Sequence, residues 1–410
     1  GPIVDICHRE ATWSEIAQDS ELVVAFGGLS TKNAAVSAGG ITHHIAKPSM
    51  IEARQRGADF VLVSPIEDDL PKEVLTDWLA LRPNTDVALM LGLAYTLYTE
   101  RLFDRDFISR YCEGFDQFVD YLVGRTDGQK KDAAWASAIC EIPAATIHAL
   151  ARRMASCRTI LTLSHSLQRS EYGEQPVWMG LTLAAMLGQI GTIGGGFAYS
   201  VGAIGNVGKS ALDVPIPTLP QCENGVSSYI PVARISDMLL HPGELFDYNG
   251  QRLTYPDIRL VYWAGGNPFH HHQDINRLRK AFARPETIIV HDAFWTATAR
   301  HADIVLPATM TIERDDIGAS TNDPKLIAMK SAYKPYGSAQ DDFEIFNALA
   351  ARLGKRDRFS EGRTNKQWLE FLYEPTRRAL ADKGLSAPSF GEFWERGELD
   401  LPVGSAPGML

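Results

Sequence analysis

The sequence predicts an α/β protein built from two doubly wound, mostly parallel-sheet units of Rossmann-like type. Short apolar runs alternate with longer runs of helical periodicity through most of the 410 residues, which is the pattern of β-α-β units. Several short runs end in paired glycines, as strands do where the backbone turns sharply. The most informative stretch is 261–274, Val-Tyr-Trp-Ala-Gly-Gly-Asn-Pro-Phe-His-His-His-Gln-Asp, which predicts a strand, a glycine turn and a polar loop opening into a helix.

The first unit is expected from the elements of the first half of the chain. Apolar runs at 21–26, 58–63 and 158–163 predict buried strands. Helical spacing predicts helices over 86–100, 144–156 and 178–190, the last closed by Gly191. Right-handed crossovers would join these elements into one parallel sheet. We therefore expect residues 1–199 to form a dinucleotide-binding-like α/β domain.

The second unit is expected after a change of composition. From 200 to 256 Gly, Pro, Asn and Ser replace the periodic runs, which predicts an irregular connection. Strands at 261–264, 287–292 and 303–307, with a short helix over 294–301, then predict a second α/β cofactor-binding unit at 257–335. Amphipathic helices over 341–353 and 365–382 predict a helical C-terminal segment at 336–410.

The bulk composition excludes several classes of protein. The net charge of -10 argues against a general partner that is nucleic acid or an anionic membrane surface. No apolar run is long enough to span a membrane. The five cysteines show no CxxC spacing, which argues against an iron–sulfur cluster or zinc site in this stretch. An odd number of cysteines favours reduced thiols over a disulfide framework.

Paired glycines follow predicted strands or helices at Gly27-Gly28, Gly194–Gly196 and Gly265-Gly266. Such turns let backbone N–H groups approach a phosphate, although a single pair is more often only a tight turn. The chain contains no GxGxxG, so the standard NAD-binding fingerprint is missing.

The histidine run at 270–272 suggests a metal site at first inspection. In an extended segment only His270 and His272 would point the same way. No cysteine lies nearby, and Asp274 is the only carboxylate close to the run, so a four-ligand zinc set is not completed. Hydrogen bonds from the imidazoles to a phosphate or a polar ring are the favoured interpretation.

Two aspartates occupy positions where a ligand-binding carboxylate would lie. Asp86 opens a predicted helix, and its ordinary role would be in the N-terminal cap together with Thr85. Asp292 ends a predicted strand ahead of a short helix and poses the same choice. Either carboxylate would also suit the N1–H and N2–H₂ donors of a guanine, and two of them would suit a cofactor with two guanine-bearing halves.

The segment that follows the predicted strand at 158–163 is rich in planar hydrogen-bonding groups. Ser166, Gln168 and Arg169 are followed by two glutamates and a glutamine within six residues. A solvated loop is the alternative, but the carboxyl end of a strand in a doubly wound sheet favours a ligand site. Arg169 is suited to bidentate binding of a pyrophosphate.

Together these segments resemble the molybdopterin oxidoreductases of the dimethyl sulfoxide reductase family. The resemblance is to the branch of dimethyl sulfoxide, trimethylamine N-oxide and biotin sulfoxide reductases, and it spans nearly the whole chain. The run Gly-Asn-Pro-Phe-His-His-His-Gln-Asp at 266–274 is typical of this branch, whereas Ala-Asp-Ile-Val-Leu-Pro at 302–307 is shared across the wider family. The other matching segments are Arg-Pro-Asn-Thr-Asp and its continuation at 82–92, 166–175, 187–196, Trp-Thr at 295–296 and 393–397.

The resemblance implies a molybdenum cofactor with two molybdopterin guanine dinucleotides, held by central domains of this fold. It also implies reduction of an S-oxide or N-oxide by oxygen-atom transfer. On the family pattern Asp86 and Asp292 would face guanines. The other residues expected to bind the cofactor are Asn267, His270 and Thr296 at phosphates or ribose, Ser166 and Arg169 at a pterin or its pyrophosphate, and Gly27, Lys32, Asn84, Gln168, Gly266 and His272. No catalytic residue is assigned.

The resemblance further implies that this chain is the middle of a longer enzyme. In this branch a serine binds the molybdenum, in a segment that precedes those found here, and a C-terminal cofactor-binding domain follows them. We therefore expect the chain to lack the metal ligand, to contain no iron–sulfur cluster and to be inactive alone.

Two other interpretations stay open at this point. One is another enzyme with the same cofactor, of the formate dehydrogenase or nitrate reductase type, although the histidine run favours the first interpretation. The other is a non-catalytic nucleotide-binding or scaffold module. It is supported by Leu29-Ser30 and Ser64-Pro65, which stand where the family has Asp/Asn-Pro and Asp-Pro. The electron donor, protein or reduced nucleotide, and the compartment, bacterial cytoplasm or periplasm, are left open.

Overall fold

The computed structural model describes residues 11–37, 40–199, 201–221 and 223–404. The chain divides into two compact units. The first consists of Gly1–Pro215 with Gly318–Leu326 and Asp400–Leu410, and the second of Ile216–Ile317 with Ile327–Leu399. Both units are therefore discontinuous in sequence.

The first unit contains a five-stranded parallel sheet in the order β3-β2-β1-β4-β5. The strands are β1 (Leu22–Phe26), β2 (Asp59–Val63), β3 (Asp77–Leu79), β4 (Thr159–Leu163) and β5 (Gly196–Tyr199). The last residue of β1 pairs with the last residues of β2 and β4, so the carboxyl ends of the three central strands are level. The α/β fold class is confirmed, and this strand order is that of the doubly wound nucleotide-binding sheets.

Helices cover both faces of this sheet. They are α1 (Trp13–Asp19), α2 (Ala46–Arg56), α3 (Asp86–Thr99), α4 (Arg105–Tyr111), α5 (Phe115–Leu122), α6 (Ala133–Cys140), α7 (Ala144–Ser156) and α8 (Glu174–Leu187). Successive residues of β1 point to opposite faces: Val24 joins the core beneath α3, α7 and α8, and Val23 joins the core beneath α1 and α2. Strands buried on both faces appear as continuous apolar runs, which is why the sequence reveals them.

Local signals explain most of the helix boundaries. Thr12 and Glu15 form a capping box at the start of α1. Helix α8 ends at Gly188, whose φ of +69° closes the helix in the left-handed conformation. Its start was predicted at 178 but lies at Glu174, because Pro176 is tolerated in a first turn where no intrahelical N–H bond is needed.

The second unit contains a three-stranded parallel sheet in the order β10-β9-β8. Its elements are α9 (Ile235–Leu240), β6 (Leu245–Tyr248), β7 (Gln251–Thr254), β8 (Leu260–Ala264), α10 (Pro268–His271), α11 (Ile275–Phe282), β9 (Thr287–Asp292), β10 (Ile304–Pro307), α12 (Asp342–Arg352), α13 (Arg356–Ser360), α14 (Asn365–Asp382) and α15 (Phe390–Arg396). A further sheet has the order β11 (Asp316–Gly318), β12 (Lys325–Met329) and β13 (Glu398–Asp400).

Three local predictions differ from the structure. The region 200–256 was predicted to be irregular, yet it contains α9 and the antiparallel hairpin of β6 and β7. The predicted helix over 294–301 is reduced to a 3₁₀ turn at Ala299–His301. The histidine run is not extended, because His270 and His271 lie in α10, so the alternation argued for that run does not apply. Within the described parts of the chain, no single helix has the length and apolarity needed to cross a membrane.

Candidate cofactor-binding site

The strand order of the first unit puts its topological switch point at the carboxyl ends of β1 and β4. Connections leave these two adjacent strands toward opposite faces, and open α/β sheets bind ligands at that point. Gly27 follows β1, and Ser164 follows β4; the Gly27 N–H donates to the Val63 carbonyl (2.8 Å) and the Ser164 N–H to the Phe26 carbonyl (2.9 Å). The chain segments bearing Gly27 and Ser166 are thereby fixed side by side at one sheet edge.

Gly27 is required at this edge for both conformation and space. Its φ is +74°, and a Cβ atom there would lie 2.9 Å from Ser164 Cβ, 3.0 Å from Ser166 Oγ and 3.2 Å from Leu167 Cγ. Side chains rarely adopt this φ, and contacts this short require the neighbouring loop to move. The glycine therefore holds the Ser166 loop close to the end of β1.

We expect Gly27→Ala to lower the free energy of unfolding by about 1–3 kcal/mol more than Gly128→Ala, because overpacking adds to the backbone strain. Gly128 is a matched control, since it has the same φ of +74° but nothing within 4 Å of its Cβ position. Denaturant unfolding of both variants measures the difference. Equal losses would show that the loop is not held through Gly27.

Asp86 lies in the first turn of α3, where the structure buries it. The residue is 4% exposed, and no side chain of the described residues donates a hydrogen bond to its carboxylate. Asn84, with a left-handed φ of +63°, precedes it. Both line a cavity of about 360 Å³, whose walls are Asn84, Asp86, Val87, Leu167, Ser170, Glu171, Tyr172, Gln175 and Pro176.

Burial raises the pKa of Asp86 to about 6, against a weaker opposing effect of its own backbone N–H. A helix N-terminus lowers the pKa of a carboxyl, but here the loss of hydration outweighs it. Thr85 is at the N-cap, yet its hydroxyl donates to the Arg82 carbonyl (2.5 Å) and not to the helix. The ordinary capping role is therefore not what places these two residues.

The loop after β4 brings together groups from distant parts of the unit. Leu167–Arg169 form a 3₁₀ turn in which Gln168 is half-buried and accepts a hydrogen bond from the Tyr199 hydroxyl. Arg169 and Ser166 are exposed, and Ser166 Oγ is 3.1 Å from Ser164 Oγ. These exposed groups are available to a ligand at the sheet edge.

Two further residues of this edge have no marked signal in the sequence. The His165 ring packs 5.1 Å from the Tyr199 ring. Burial, followed by the positive charge of Arg169, lowers the pKa of His165, which favours a neutral imidazole. Tyr199 gives no sequence signal because its partner Gln168 lies 31 residues away. Lys32, in contrast, is exposed on the loop after Gly28.

The glycine turn of the second unit presents backbone and amide groups at the end of β8. Gly265 and Gly266 have φ values of +84° and +85°. The Asn267 side-chain oxygen accepts from the backbone N–H (3.3 Å) and the hydroxyl of Thr298. This orients the Asn267 amide and leaves its NH₂ group as the donor. Thr298, fully buried, was not predicted to take part.

Asp292 lies at the carboxyl end of the neighbouring strand β9 in a half-buried position. One carboxylate oxygen accepts from the Phe294 N–H (3.0 Å) and the other from the Thr296 hydroxyl (2.7 Å). Thr296 Oγ1 in turn accepts from the Ala299 N–H (3.2 Å). The carboxylate is therefore held rigidly, with further lone pairs left for ligand donors.

The histidines of this unit differ in environment. His270 is exposed, whereas His272 is half-buried. Burial lowers the pKa of His272, and the electrostatic effect of the neighbouring His271 adds to the shift. His272 Nε2 and Trp263 Nε1 are buried without a hydrogen-bond partner among the described residues. A Cβ at Gly266 would lie 3.4 Å from Trp263 Nε1. No group of three His, Cys, Asp or Glu residues that could hold a metal ion occurs in the part of the chain that the structure describes.

The fold and these strand-edge groups define a doubly wound α/β protein with ligand sites at the carboxyl ends of its parallel strands. The family model for molybdopterin oxidoreductases matches residues 11–352. The chain belongs to this family of oxidoreductases. The fold predicted from the sequence resemblance and the assignment to an enzyme family are thereby confirmed.

The curated relatives narrow the branch. Biotin sulfoxide reductase of Cereibacter sphaeroides is 47% identical over 96% of this chain and 53% of its own length. Dimethyl sulfoxide/trimethylamine N-oxide reductase of the same organism is 41% identical over 98% of this chain and 50% of its own length. Trimethylamine-N-oxide reductase of Haemophilus influenzae is 38% identical over 98% of this chain and 50% of its own length. The chain thus spans about half the length of the curated relatives it matches, and the S-oxide or N-oxide reductase branch is favoured over the formate dehydrogenase or nitrate reductase type.

A solved structure supports the fold alone. Acetylene hydratase from Pelobacter acetylenicus superposes with a TM-score of 0.61 at 16% identity, over 97% of this chain and 54% of that one.

The residues present fit the molybdenum–molybdopterin cofactor that the family implies. The buried Asp86 carboxylate lines a cavity, and no side chain of the described residues donates to it, which leaves acceptor positions for the N–H groups of a base. Gly27 and Gly266 keep side chains away from their strand ends, where phosphates approach backbone N–H groups. The unpartnered nitrogens of Trp263 and His272 would gain acceptors from such a ligand.

Proposed function

We propose that this chain is the central, cofactor-binding part of a molybdenum enzyme that reduces an S-oxide or N-oxide. Residues 1–199 and 257–335 would each bind one half of a bis-molybdopterin guanine dinucleotide. The observation that carries the proposal is the Asp86 carboxylate, which is 4% exposed, lines a cavity and, apart from its own backbone N–H, accepts no hydrogen bond from the described residues. A buried carboxylate with so few donors is costly, and guanine N1–H and N2–H₂ would supply further donors.

The roles of the other residues follow from their placement. Asp292 is proposed to bind the second guanine, with Asn267, His270 and Thr296 at phosphates or ribose. Ser166 and Arg169 are proposed to bind a pterin or its pyrophosphate, because both are exposed at the edge of β4. The remaining residues proposed to contact the cofactor are Gly27, Lys32, Asn84, Gln168, Gly266 and His272.

The bound molybdenum–pterin group supplies the oxygen-atom and electron transfer. The residues of this chain bind and orient it. Overall, reduction of the S–O or N–O bond consumes two electrons and two protons and releases the sulfide or amine and water. The electrons would come from a protein or reduced-nucleotide donor, and the substrate is a small molecule. We infer that residues outside this chain complete the metal site, so the isolated chain is not expected to turn over.

In the full-length protein, Asp292→Ala is expected to lower the molybdenum and guanine nucleotide content. Removing a charged acceptor from ligand donors costs about 1–3 kcal/mol, which is roughly a 5- to 150-fold loss of affinity. Metal analysis and nucleotide release on acid treatment measure the content. Asp292→Asn keeps one acceptor for the Phe294 N–H and should lose less, whereas the exposed hairpin variant Asp247→Ala should retain full content.

Wild-type molybdenum and guanine content in Asp292→Ala would contradict the role given to this carboxylate. A viologen-coupled sulfoxide and N-oxide assay on the full-length wild type tests the activity separately. Cofactor bound without any turnover would instead favour the non-catalytic module, for which Leu29-Ser30 and Ser64-Pro65 are the sequence evidence.

A further inference from the structure

We propose that Asp69, with Ser64 as its positioning residue, binds the ribose hydroxyls of the guanine nucleotide held by the first unit. The inference rests on the proposed function, since it names a further contact to the same cofactor. Neither residue is among the candidate cofactor-binding residues. Two observations carry it: the packing of Asp69 against Gly28, and the hydrogen bonding of the Asp69 carboxylate.

Asp69 lies at the carboxyl edge of the five-stranded sheet. It ends a 3₁₀ turn, Glu67–Asp69, in the segment that follows β2. The Asp69 carbonyl accepts a hydrogen bond from the Leu29 N–H (2.8 Å), just beyond the glycine pair that follows β1. The residue is therefore fixed at the same edge as Gly27, where the first unit has its topological switch point.

Gly28 makes room for Asp69. Its φ is +87°, and a Cβ atom there would lie 2.5 Å from Asp69 Cβ and 2.8 Å from the Asp69 carbonyl oxygen. A side-chain rotation cannot relieve such contacts, so any other residue at 28 would push Asp69 away from the edge. The two glycines thus serve different neighbours: Gly27 admits the loop after β4, and Gly28 admits the turn that carries Asp69.

Hydrogen bonds orient the Asp69 carboxylate from one side. Ser64, which is 1% exposed, donates its hydroxyl to Asp69 Oδ2 (2.6 Å). Ser64 is itself held, because its Oγ accepts from the Ile66 N–H (3.2 Å) and its carbonyl from Trp78 Nε1 (2.8 Å). Oδ1 of the half-buried Asp69 accepts no hydrogen bond from the described residues, yet it is not among their buried, unpartnered polar atoms. One oxygen is therefore held by the protein, and the other is accessible to a ligand.

The chemistry of this oxygen matches a sugar hydroxyl. A carboxylate accepts hydrogen bonds and repels phosphate, and its bonds to O–H donors are strong because the acceptor is charged. In dinucleotide-binding sheets an acidic residue that comes after the glycine turn accepts from the ribose. Since the buried Asp86 is the carboxylate proposed for the base, Asp69 is assigned to the sugar.

Burial distinguishes Asp69 from the rest of its acidic run. Glu67 and Asp68 are exposed, and the Asp68 carboxylate lies 3.7 Å from the Lys72 ammonium group. Asp69 alone of the three accepts from a buried side chain, Ser64. The proposal therefore concerns one oriented carboxylate and not an acidic surface.

The same arrangement accounts for a departure from the family pattern. Ser64 stands where the sequence resemblance leads us to expect an aspartate. An aspartate at this buried position would bring a second carboxylate against Asp69, and like charges that close disfavour each other. The serine instead donates to Asp69, so this chain keeps one carboxylate at the edge and supplies it five residues later.

Two nucleotides separate the ribose contact from the rest of the site. The probes are GMP and 2′,3′-dideoxy-GMP, measured by titration calorimetry on full-length protein prepared without cofactor. Asp292→Ala is present throughout, so that the second unit does not add a guanine site of its own. This protein should bind GMP about 10- to 100-fold more tightly than the dideoxy nucleotide, which lacks both hydroxyls.

Asp69→Ala should remove this preference. Its affinity for GMP should fall to that for dideoxy-GMP, and the unchanged dideoxy affinity shows that the variant is folded. Ser64→Ala leaves the carboxylate but no longer orients it, and it should reduce the preference about 3- to 10-fold. Asp68→Ala is the matched control, because this neighbouring aspartate has a side chain that is 79% exposed, and it should keep the full preference.

The role of Asp69 and the proposed function fail in different ways. A preference for GMP that survives in Asp69→Ala, or an equal weakening of both nucleotides, would overturn the role of Asp69 and leave the proposed function intact. Equal affinity for the two nucleotides before Asp69 is changed would do the same. Absence of GMP binding, together with full-length wild type that contains neither molybdenum nor guanine, would overturn both.

Discussion

Lys209→Met is expected to lower the free energy of unfolding by about 3–5 kcal/mol, the loss typical of breaking a buried ion pair from one side. The Lys209 side chain is 6% exposed and that of Asp323 is 0% exposed. Nζ of Lys209 lies 2.9 and 3.0 Å from the two carboxylate oxygens. Burial lowers the pKa of Lys209, and the hydrogen bond and charge of Asp323 oppose that shift.

The reason for so large an effect is the charge that remains. Without the ammonium group, the Asp323 carboxylate keeps, from the part of the chain that the structure describes, the hydrogen bonds of the His43 N–H (2.8 Å) and imidazole (3.0 Å). The Asp323 carboxylate would then lie buried, without the Lys209 charge, at a point where the segments of His43, Lys209 and Asp323 meet. Denaturant unfolding of the variant measures the loss.

Lys47→Met is the matched control, because Lys47 makes an equally short ion pair (2.7 Å) with Glu73 in which both side chains are about half exposed. Solvent screens that pair, so its loss should cost far less stability than the loss of the buried pair. A Lys209→Met variant no less stable than Lys47→Met would show that the buried pair contributes nothing beyond a surface contact.

Much of the fold could be predicted because buried strands and helices have apolar runs or apolar periodicity in the sequence. Strand β1 was predicted within one residue, since both of its faces are buried and the run is wholly apolar. The bounds of α7 and α14 agree with the prediction, because each has a clear apolar periodicity over 13 or more residues. Helices α4, α5 and α6 have only seven or eight residues each, too few to establish a period.

One missed element did have a sequence signal. Asn249 and Gly250 join β6 to β7 with φ values of +50° and +72°, the conformation of a type I′ turn. An Asn-Gly pair between two short runs is typical of a hairpin, whereas the prediction of an irregular connection rested on the composition of the region alone.

The residues of the candidate site could be predicted from the sequence, but their burial and hydrogen-bond partners could not. Sequence position indicated Asp86 and Asp292 equally. Asp86, however, is buried with no side-chain donor among the described residues, whereas Asp292 accepts two hydrogen bonds from its own loop. The pairing of Lys209 with Asp323 spans 114 residues and leaves no local pattern. Burial and long-range partners arise from tertiary packing, which single-sequence reasoning does not specify.

Asp86→Asn is expected to stabilise the cofactor-free protein and to weaken its binding of guanine. The pKa of this carboxyl is raised from 3.8 to about 6, so the folded state holds the proton more tightly than the unfolded state does. The stabilisation that comes from this tighter proton binding is fully present below pH 3.8 and is lost as the pH rises through about 6. A shift of about two pKa units corresponds to about 3 kcal/mol, and the neutral Asn variant avoids this loss at pH 8.

The measurement is the difference in free energy of unfolding between Asp86→Asn and the wild type at pH 4 and pH 8. The variant should be more stable by up to about 3 kcal/mol at pH 8 and nearly equal at pH 4. Asp106→Asn, an exposed aspartate in the first turn of α4, is the control and should be slightly destabilising, by less than about 1 kcal/mol.

The opposite effects on stability and binding separate a functional carboxylate from a structural one. With GMP as probe, the affinity of the wild type should fall as the pH drops below about 6, where Asp86 takes up its proton. That of Asp86→Asn should be about 10- to 100-fold weaker at pH 8 and independent of pH over this range, since an amide offers guanine one acceptor instead of two. A structural carboxylate would give a variant that is less stable at pH 8 and binds GMP unchanged, and that result would remove Asp86 from the site.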